Sequence, residues 1–138
     1  MVASYVHGEG RIACLVEVNS ETDFVARNDG FKDFVKDVAL HVAAMNPLYL
    51  TANEIPEDAI VREKQVLRDK NIADGKKPEM VDKIVEGQIK KWFSEVSLLD
   101  QAFVKDPDKT VNQYLNEVIA KLGENIVIRR FVRFELGE

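Results

Sequence analysis

Few side chains in this 138-residue sequence can do acid–base, nucleophilic or ligand chemistry near neutral pH: two histidines, His7 and His41, and one cysteine, Cys14. His7 closes an alternating stretch beside Gly8-Glu9-Gly10, a turn signal, and is expected in solvent. His41 falls on the flank of an apolar stripe and reads as a partly buried packing residue. Cys14 lies mid-strand on an apolar face, where a thiol is inert packing. A single cysteine leaves no internal disulfide and suits a reducing compartment. No histidine and cysteine pairs have metal-ligand spacing, and no glycine-rich loop matches a phosphate cradle. The 24 Asp and Glu residues are abundant, but a working carboxylate pair is not recognisable from spacing. An enzyme therefore finds no support, and no cofactor or metal is expected.

Two constellations suit binding better than catalysis. Arg129, Arg130 and Arg133 interleave with Phe131 and Phe134, a mixture that can stack bases. The plainer reading is that these arginines line a sheet and pair with nearby acids, including Glu135. Lys plus Arg is 19 against 24 Asp plus Glu, a net charge of −5, which favours the plainer reading and argues against direct nucleic-acid binding. The second constellation is Glu21-Thr22-Asp23-Phe24-Val25. With Thr22 as a helix cap, Asp23 and Phe24 occupy the exposed first turn. Asp23 then complements the helix dipole while Phe24 folds back onto the sheet, or Phe24 projects as a wedge into another protein with Asp23 beside it. Spacing alone leaves both open.

The elements that must position these residues are readable. Ser4–His7 and Arg11–Val18 form a hairpin, with Ile12, Cys14, Val16 and Val18 on one face and Arg11, Ala13, Leu15 and Glu17 on the other. Phe31, Phe34, Val35, Val38, Val42 and Met45 mark an amphipathic helix, capped by Asn28 or Asp29 and ended at Asn46-Pro47. Thr51-Ala52-Asn53-Glu54 has capping-box form and opens a single turn. Pro56–Ala73 and Pro78 to about Leu99 read as two helices, each with Pro in the first turn, joined by Asp74–Lys77. Val85, Trp92 and Leu99, seven apart, fit an antiparallel coiled hairpin. Residues 98–108 read as irregular. Thr110 and Gln113 make a capping box for a helix to Leu122, stopped by Gly123. Asn125–Leu136 alternates as a long strand, with Ile126, Ile128, Arg130, Val132 and Phe134 on one face. With 46% hydrophobic and 31% charged residues the chain reads as one globular domain, without a signal peptide or an apolar run long enough to span a bilayer. The expected fold is α+β: a three-stranded antiparallel sheet packed with helices over residues 1–138, with 56–99 inserted as a protruding antiparallel helical hairpin.

Glu17-Val18-Asn19-Ser20-Glu21-Thr22-Asp23-Phe24-Val25-Ala26-Arg27 resembles the signature of the elongation factor Ts family, guanine-nucleotide exchange factors for elongation factor Tu. Lys121–Ile126 followed by Arg129-Arg130 is similar as well, as are Ser4–Gly8, His41-Val42-Ala43, and Val85-Glu86-Gly87 with Lys90-Lys91. The resemblance covers Ser4 to Gly137. It implies that Thr22, Asp23, Phe24 and Val25 insert between two helices of the partner's GTPase domain, disturbing its Mg²⁺ and phosphate site so that GDP leaves. It implies further contacts to another domain of that partner at His7, Leu122 and Gly123. It also implies a cytoplasmic, homodimeric protein that does no covalent chemistry, with dimerisation through an exposed strand edge. The family begins with a small helical domain, and none precedes Val2, so a core fragment is the expectation. A dimeric structural or adaptor module recruiting partners through the helical hairpin is the competing function.

Overall fold

The computed structural model describes residues 1–138. From the N-terminus its elements are β1 (Val2–His7), β2 (Ile12–Ser20), α1 (Asp23–Ala26), α2 (Asp29–Met45), α3 (Glu57–Ala73), α4 (Pro78–Val96), β3 (Ala102–Phe103), β4 (Asp106–Thr110), α5 (Val111–Leu122) and β5 (Ile126–Glu135). Short 3₁₀ turns lie at Ala52–Glu54 and Leu98–Asp100. No helix is long and apolar enough to cross a membrane.

The first two strands pair antiparallel from Val2↔Glu17 to His7↔Ile12. Their connection runs Gly8, Glu9 and Gly10 at positive φ (60°, 57° and 91°), which suits glycine at two of the three places. β5 adds to the other side of β2, so the order is β1-β2-β5 and the sheet is antiparallel throughout. Cys14, Val16 and Val18 project from its inner face onto Phe34, Val35, Val38, Ala39 and Val42 of α2, all buried. Each Val or Phe among them contributes roughly 1.5–3 kcal/mol of hydrophobic stabilisation. The Cys14 thiol donates to the Ala39 carbonyl at 3.0 Å, and burial pushes its pKa up, as expected of packing sulfur. Asn28 caps α2, its Oδ1 accepting from the Gly30 and Phe31 amides.

Three expectations need correction. First, β5 does not keep one alternation. A bulge opposite Glu17/Val18 pairs Arg130 with Glu17 and Ile128 with Val18, leaving Arg129 as the extra residue. One unpaired residue inverts the parity of the strand. Ile126 and Ile128 face inward, but beyond the bulge Phe131 and Arg133 face inward, while Val132 and Phe134 are exposed. Second, residues 98–108 are not irregular throughout: β3 and β4 form a two-stranded hairpin with Ala102↔Thr110 and Phe103↔Asp106. Two paired residues are too few for a period-two signal, and Pro107 sits on an edge where its missing N–H is tolerated. Third, because that hairpin covers His41, the imidazole is wholly rather than partly buried. Val104 N–H donates to its Nδ1 at 3.1 Å, so Nε2 carries the proton and donates to Gln101 Oε1 at 2.8 Å. Burial lowers the pKa of His41.

The helical hairpin follows its predicted limits closely. Pro56 precedes α3 as its cap residue and Pro78 opens α4, and α4 stops at Val96 rather than near Leu99. Thr51 makes no side-chain cap. α4 buries Val81, Val85, Ile89 and Val96, whereas α3 buries only Asn71. Asn71 donates to Leu67 O at 2.8 Å and to Gln88 Oε1 at 2.7 Å across the pair. The hairpin is rooted by backbone bonds, Leu48 N to Val96 O at 2.9 Å and Leu98 N to Tyr49 O at 2.8 Å. Gln101 adds side-chain bonds to Glu95 O and Met45 O.

Candidate partner-binding surface

The segment after β2 turns on two successive caps. Thr22, extended at φ −130° and ψ 153°, caps α1, its Oγ1 accepting from the Val25 amide at 3.3 Å. Asn28 then caps α2, so α1 is a single turn held between fixed ends. The helical period splits the motif. Val25 is 5% exposed and belongs to the core, whereas Phe24 is 85% exposed and Asp23 is also exposed. Phe24 does not fold back onto the sheet, which removes one of the two readings left open by spacing. Thr22, Asp23 and Phe24 face outward, and Val25 anchors them.

The other residues divide by place. Gly123 ends α5 in the left-handed region at φ 77°, its amide donating to Ile119 O at 2.9 Å. Leu122 before it is half-buried. This turn lies beside Thr22, because the next residue, Glu124, reaches across. Its Oε1 accepts from the Glu21 and Thr22 amides, both at 3.0 Å, and its Oε2 accepts from Thr22 Oγ1 at 3.0 Å. His7 is elsewhere. It pairs with Ile12 at one end of β2, while Thr22 follows Ser20 at the other. Eight residues of extended chain separate those ends by roughly 26 Å at ~3.3 Å per residue. His7 is exposed, with its Nδ1 3.1 Å from the Tyr5 hydroxyl. Sequence reasoning assigned no task to Glu124, because no local rule announces a contact made more than a hundred residues away.

Elsewhere several charged groups pair with one another. Arg130 Nε pairs with Glu17 Oε1 at 2.9 Å and holds that carboxyl below its ordinary pKa. The half-buried Arg133 donates to Ala43 O at 3.1 Å and pairs with Glu135 at 2.9 Å. Arg130 and Arg133 thus serve the sheet, as the acid-pairing reading expects, while Arg129 stands exposed at the bulge. A cleft of about 570 Å³ between α2 and α5 holds Asp37, which accepts from Lys105 at 2.9 Å and Tyr114 at 2.7 Å. That hydrogen bond raises the Lys105 pKa, while burial first and Asp37 second raise that of Tyr114. Both protons point at one carboxylate, a structural tie rather than a reactive pair. No group of three or more His, Cys, Asp or Glu is placed to hold a metal ion. What this surface offers is display: an aromatic ring and an acid on a rigid corner.

Comparison with known proteins gives the family. The family model for elongation factor Ts matches residues 1–138. The chain is 56% identical over 138 residues to elongation factor Ts of Geotalea daltonii, covering 100% of this chain and 64% of that protein. It is 54% identical over 138 residues to elongation factor Ts of Acetivibrio thermocellus and 53% identical to that of Heliobacterium modesticaldum, with the same coverage. The chain thus spans about 64% of the length of the curated relatives it matches. With a match from end to end and more than half of its residues identical, the chain belongs to the elongation factor Ts family.

Proposed function

We propose that this chain is the core of a cytoplasmic guanine-nucleotide exchange factor that promotes GDP release from elongation factor Tu during translation elongation. The observation that carries the reading is Phe24, 85% exposed on a capped turn whose next residue is anchored in the core. Exposing a phenylalanine to water without a partner forfeits its hydrophobic stabilisation, and an aromatic anchor seated in a partner's pocket is a common energetic centre of an interface. Thr22, Asp23 and Phe24 enter between two helices of the partner's GTPase domain, with Val25 fixing their base. The partner's Mg²⁺ clamps the GDP phosphates, so displacing its surroundings speeds nucleotide loss. Linkage requires that nucleotide binding in turn expel the exchange factor. Leu122 and Gly123 extend the same contact, and His7 makes a separate one at the far end of β2.

A homodimer belongs to this reading, seated on the outer face of the sheet rather than on a strand edge. The outer face of the sheet carries Val2, Val6, Leu15, Val132 and Phe134, all exposed. A two-fold axis would set this apolar face against its own copy, as an isologous interface requires.

The test is stopped-flow release of fluorescent GDP from elongation factor Tu with the chain in excess. Asp23→Ala and Phe24→Ala should each lower the acceleration, Phe24→Ala by about thirtyfold, corresponding to roughly 2 kcal/mol. Acceleration equal to that of the unsubstituted chain would remove the wedge. Sedimentation of the free chain, with and without Phe134→Asp, tests the dimer, and an unchanged association state would reject that interface.

A further inference from the structure

Glu124 sits where α5 ends and the chain turns into β5, yet all its side-chain hydrogen bonds go to the segment carrying Phe24. Its two oxygens take three protons there, from the Glu21 amide, the Thr22 amide and the Thr22 hydroxyl, each at 3.0 Å. The partners lie 102 or 103 residues away in sequence, so the clamp is tertiary. Its reach depends on Gly123, whose positive φ of 77° turns the chain off the helix axis and brings the next side chain across. From these contacts we infer that Glu124 is the positioning residue for the displayed turn, locking Asp23 and Phe24 into the orientation that engages the GTP-binding partner. The inference rests on the exchange-factor reading above and specifies what holds its contact site in place.

The chemistry explains why a carboxylate does this. α1 is one turn long, and an isolated turn has no stability of its own. Its cap is a hydroxyl, and a hydroxyl rotates to suit its neighbours. Glu124 removes that freedom. Thr22 Oγ1 gives its proton to Oε2, which leaves a lone pair aimed at the Val25 amide. Meanwhile Oε1 gathers the two amides just before the helix, where the backbone has no partner of its own. Such charge-assisted bonds are stronger than neutral ones. Buried Val25, the bond from Ser20 Oγ to Thr22 O at 3.1 Å and the Asn28 amide on Val25 O at 2.9 Å hold the segment without Glu124, but Glu124 ties its entry to the α5–β5 turn. The clamp also joins the Leu122–Gly123 turn to the Thr22–Phe24 turn, so two contacts separate in sequence move as one surface.

Glu124→Ala, Glu124→Gln and Phe24→Ala are compared in the same GDP-release assay, with amide hydrogen exchange by NMR alongside. Glu124→Ala should cut the acceleration roughly tenfold by loosening a preorganised surface. Glu124→Gln keeps an oxygen for the two amides, while its Nε2 donates to Thr22 Oγ1 instead of Oε2 accepting from it. The three bonds remain but lose their charge, so activity should return to within about threefold of the original. In the unsubstituted chain the Glu21 and Thr22 amides, although exposed, should exchange slowly, and in Glu124→Ala as fast as Glu9 in its open turn. If Phe24→Ala impairs release while Glu124→Ala does not, the positioning assignment is wrong and the exchange-factor reading stands. If Phe24→Ala has no effect, that reading falls and this one with it. Should Glu124→Ala fail to fold, fast exchange of the Glu21 and Thr22 amides in the unsubstituted chain would by itself overturn the assignment.

Discussion

The sheet with α2 and the hairpin of α3 and α4 each contain a 17-residue helix but are held by different means. α2 buries eight residues, from Phe31 to Ala43, against strands distant in sequence. α3, also 17 residues long, buries one, and that one is an asparagine. Its outward surface carries Val61, Val66 and Ile72, all more than half exposed. Helix stability in proteins comes mainly from an apolar face that finds a partner. The core therefore supports itself, whereas the hairpin depends on its neighbour helix and on its root at Leu48–Leu50, Val96–Leu98 and Gln101. Such a unit opens at a lower free energy than the whole.

The sharpest way to break this contrast is a pair of cavities. Phe34→Ala, at a wholly buried site edge-on to Tyr114 with ring centres 5.1 Å apart, should cost about 3–5 kcal/mol in denaturant melts. Ile89→Ala, 4% exposed within the hairpin, should cost about 2 kcal/mol, the low end for such a truncation, because two helices relax around a gap more easily than a sheet does. It should also speed amide exchange in α3 and α4 while leaving α2 unchanged. Equal losses, or faster exchange in α2 on Ile89→Ala, would mean that the two regions form one cooperative unit.

A smaller effect sharpens the contrast at its seam. His41 lies in α2, and its partner Gln101 bonds the end of α4, so the pair joins core to hairpin. Burial holds the folded imidazole below its ordinary 6.5, so on acidification the unfolded chain takes up the proton first. Stability from this site is complete above pH 6.5 and falls below it by up to about 1.4 kcal/mol per pH unit, until the folded imidazole also titrates. Thermal melts across pH 5 to 8, compared with His41→Gln, should show a slope in that window that the variant lacks. Identical slopes would place the acid sensitivity elsewhere.

How much was legible from the residues follows the range of the interactions. Thr110, Gln113 and Gly123 bounded α5 correctly because capping is settled within four residues. Phe31 through Val42 marked the buried side of α2 for the same reason. The exposure of Phe24 was one of two open readings, decided by the phase of a single helical turn. The grouping of Ile126, Ile128, Arg130, Val132 and Phe134 on one face of β5 fails past Ile128, since a bulge leaves no mark in an alternating run of arginines and aromatics. The complete burial of His41 was missed because its cover, β3 and β4, is too short to read. Glu124 was visible only as part of a family-like run, and its clamp is a property of two segments meeting in space.

The extra residue in β5 carries a lesson for anyone altering this protein. Counting every second position from Ile126 leads a designer to Val132 and Phe134 as interior sites, and a charge placed at Phe131 in the belief that it points to water would land against the core. Deleting Arg129 would do more than shorten the strand. It would trade the two sides of everything downstream, sending Arg133 outward from Ala43 and two bare hydrocarbon groups inward, so a one-residue gap here should weigh more heavily than several substitutions nearby.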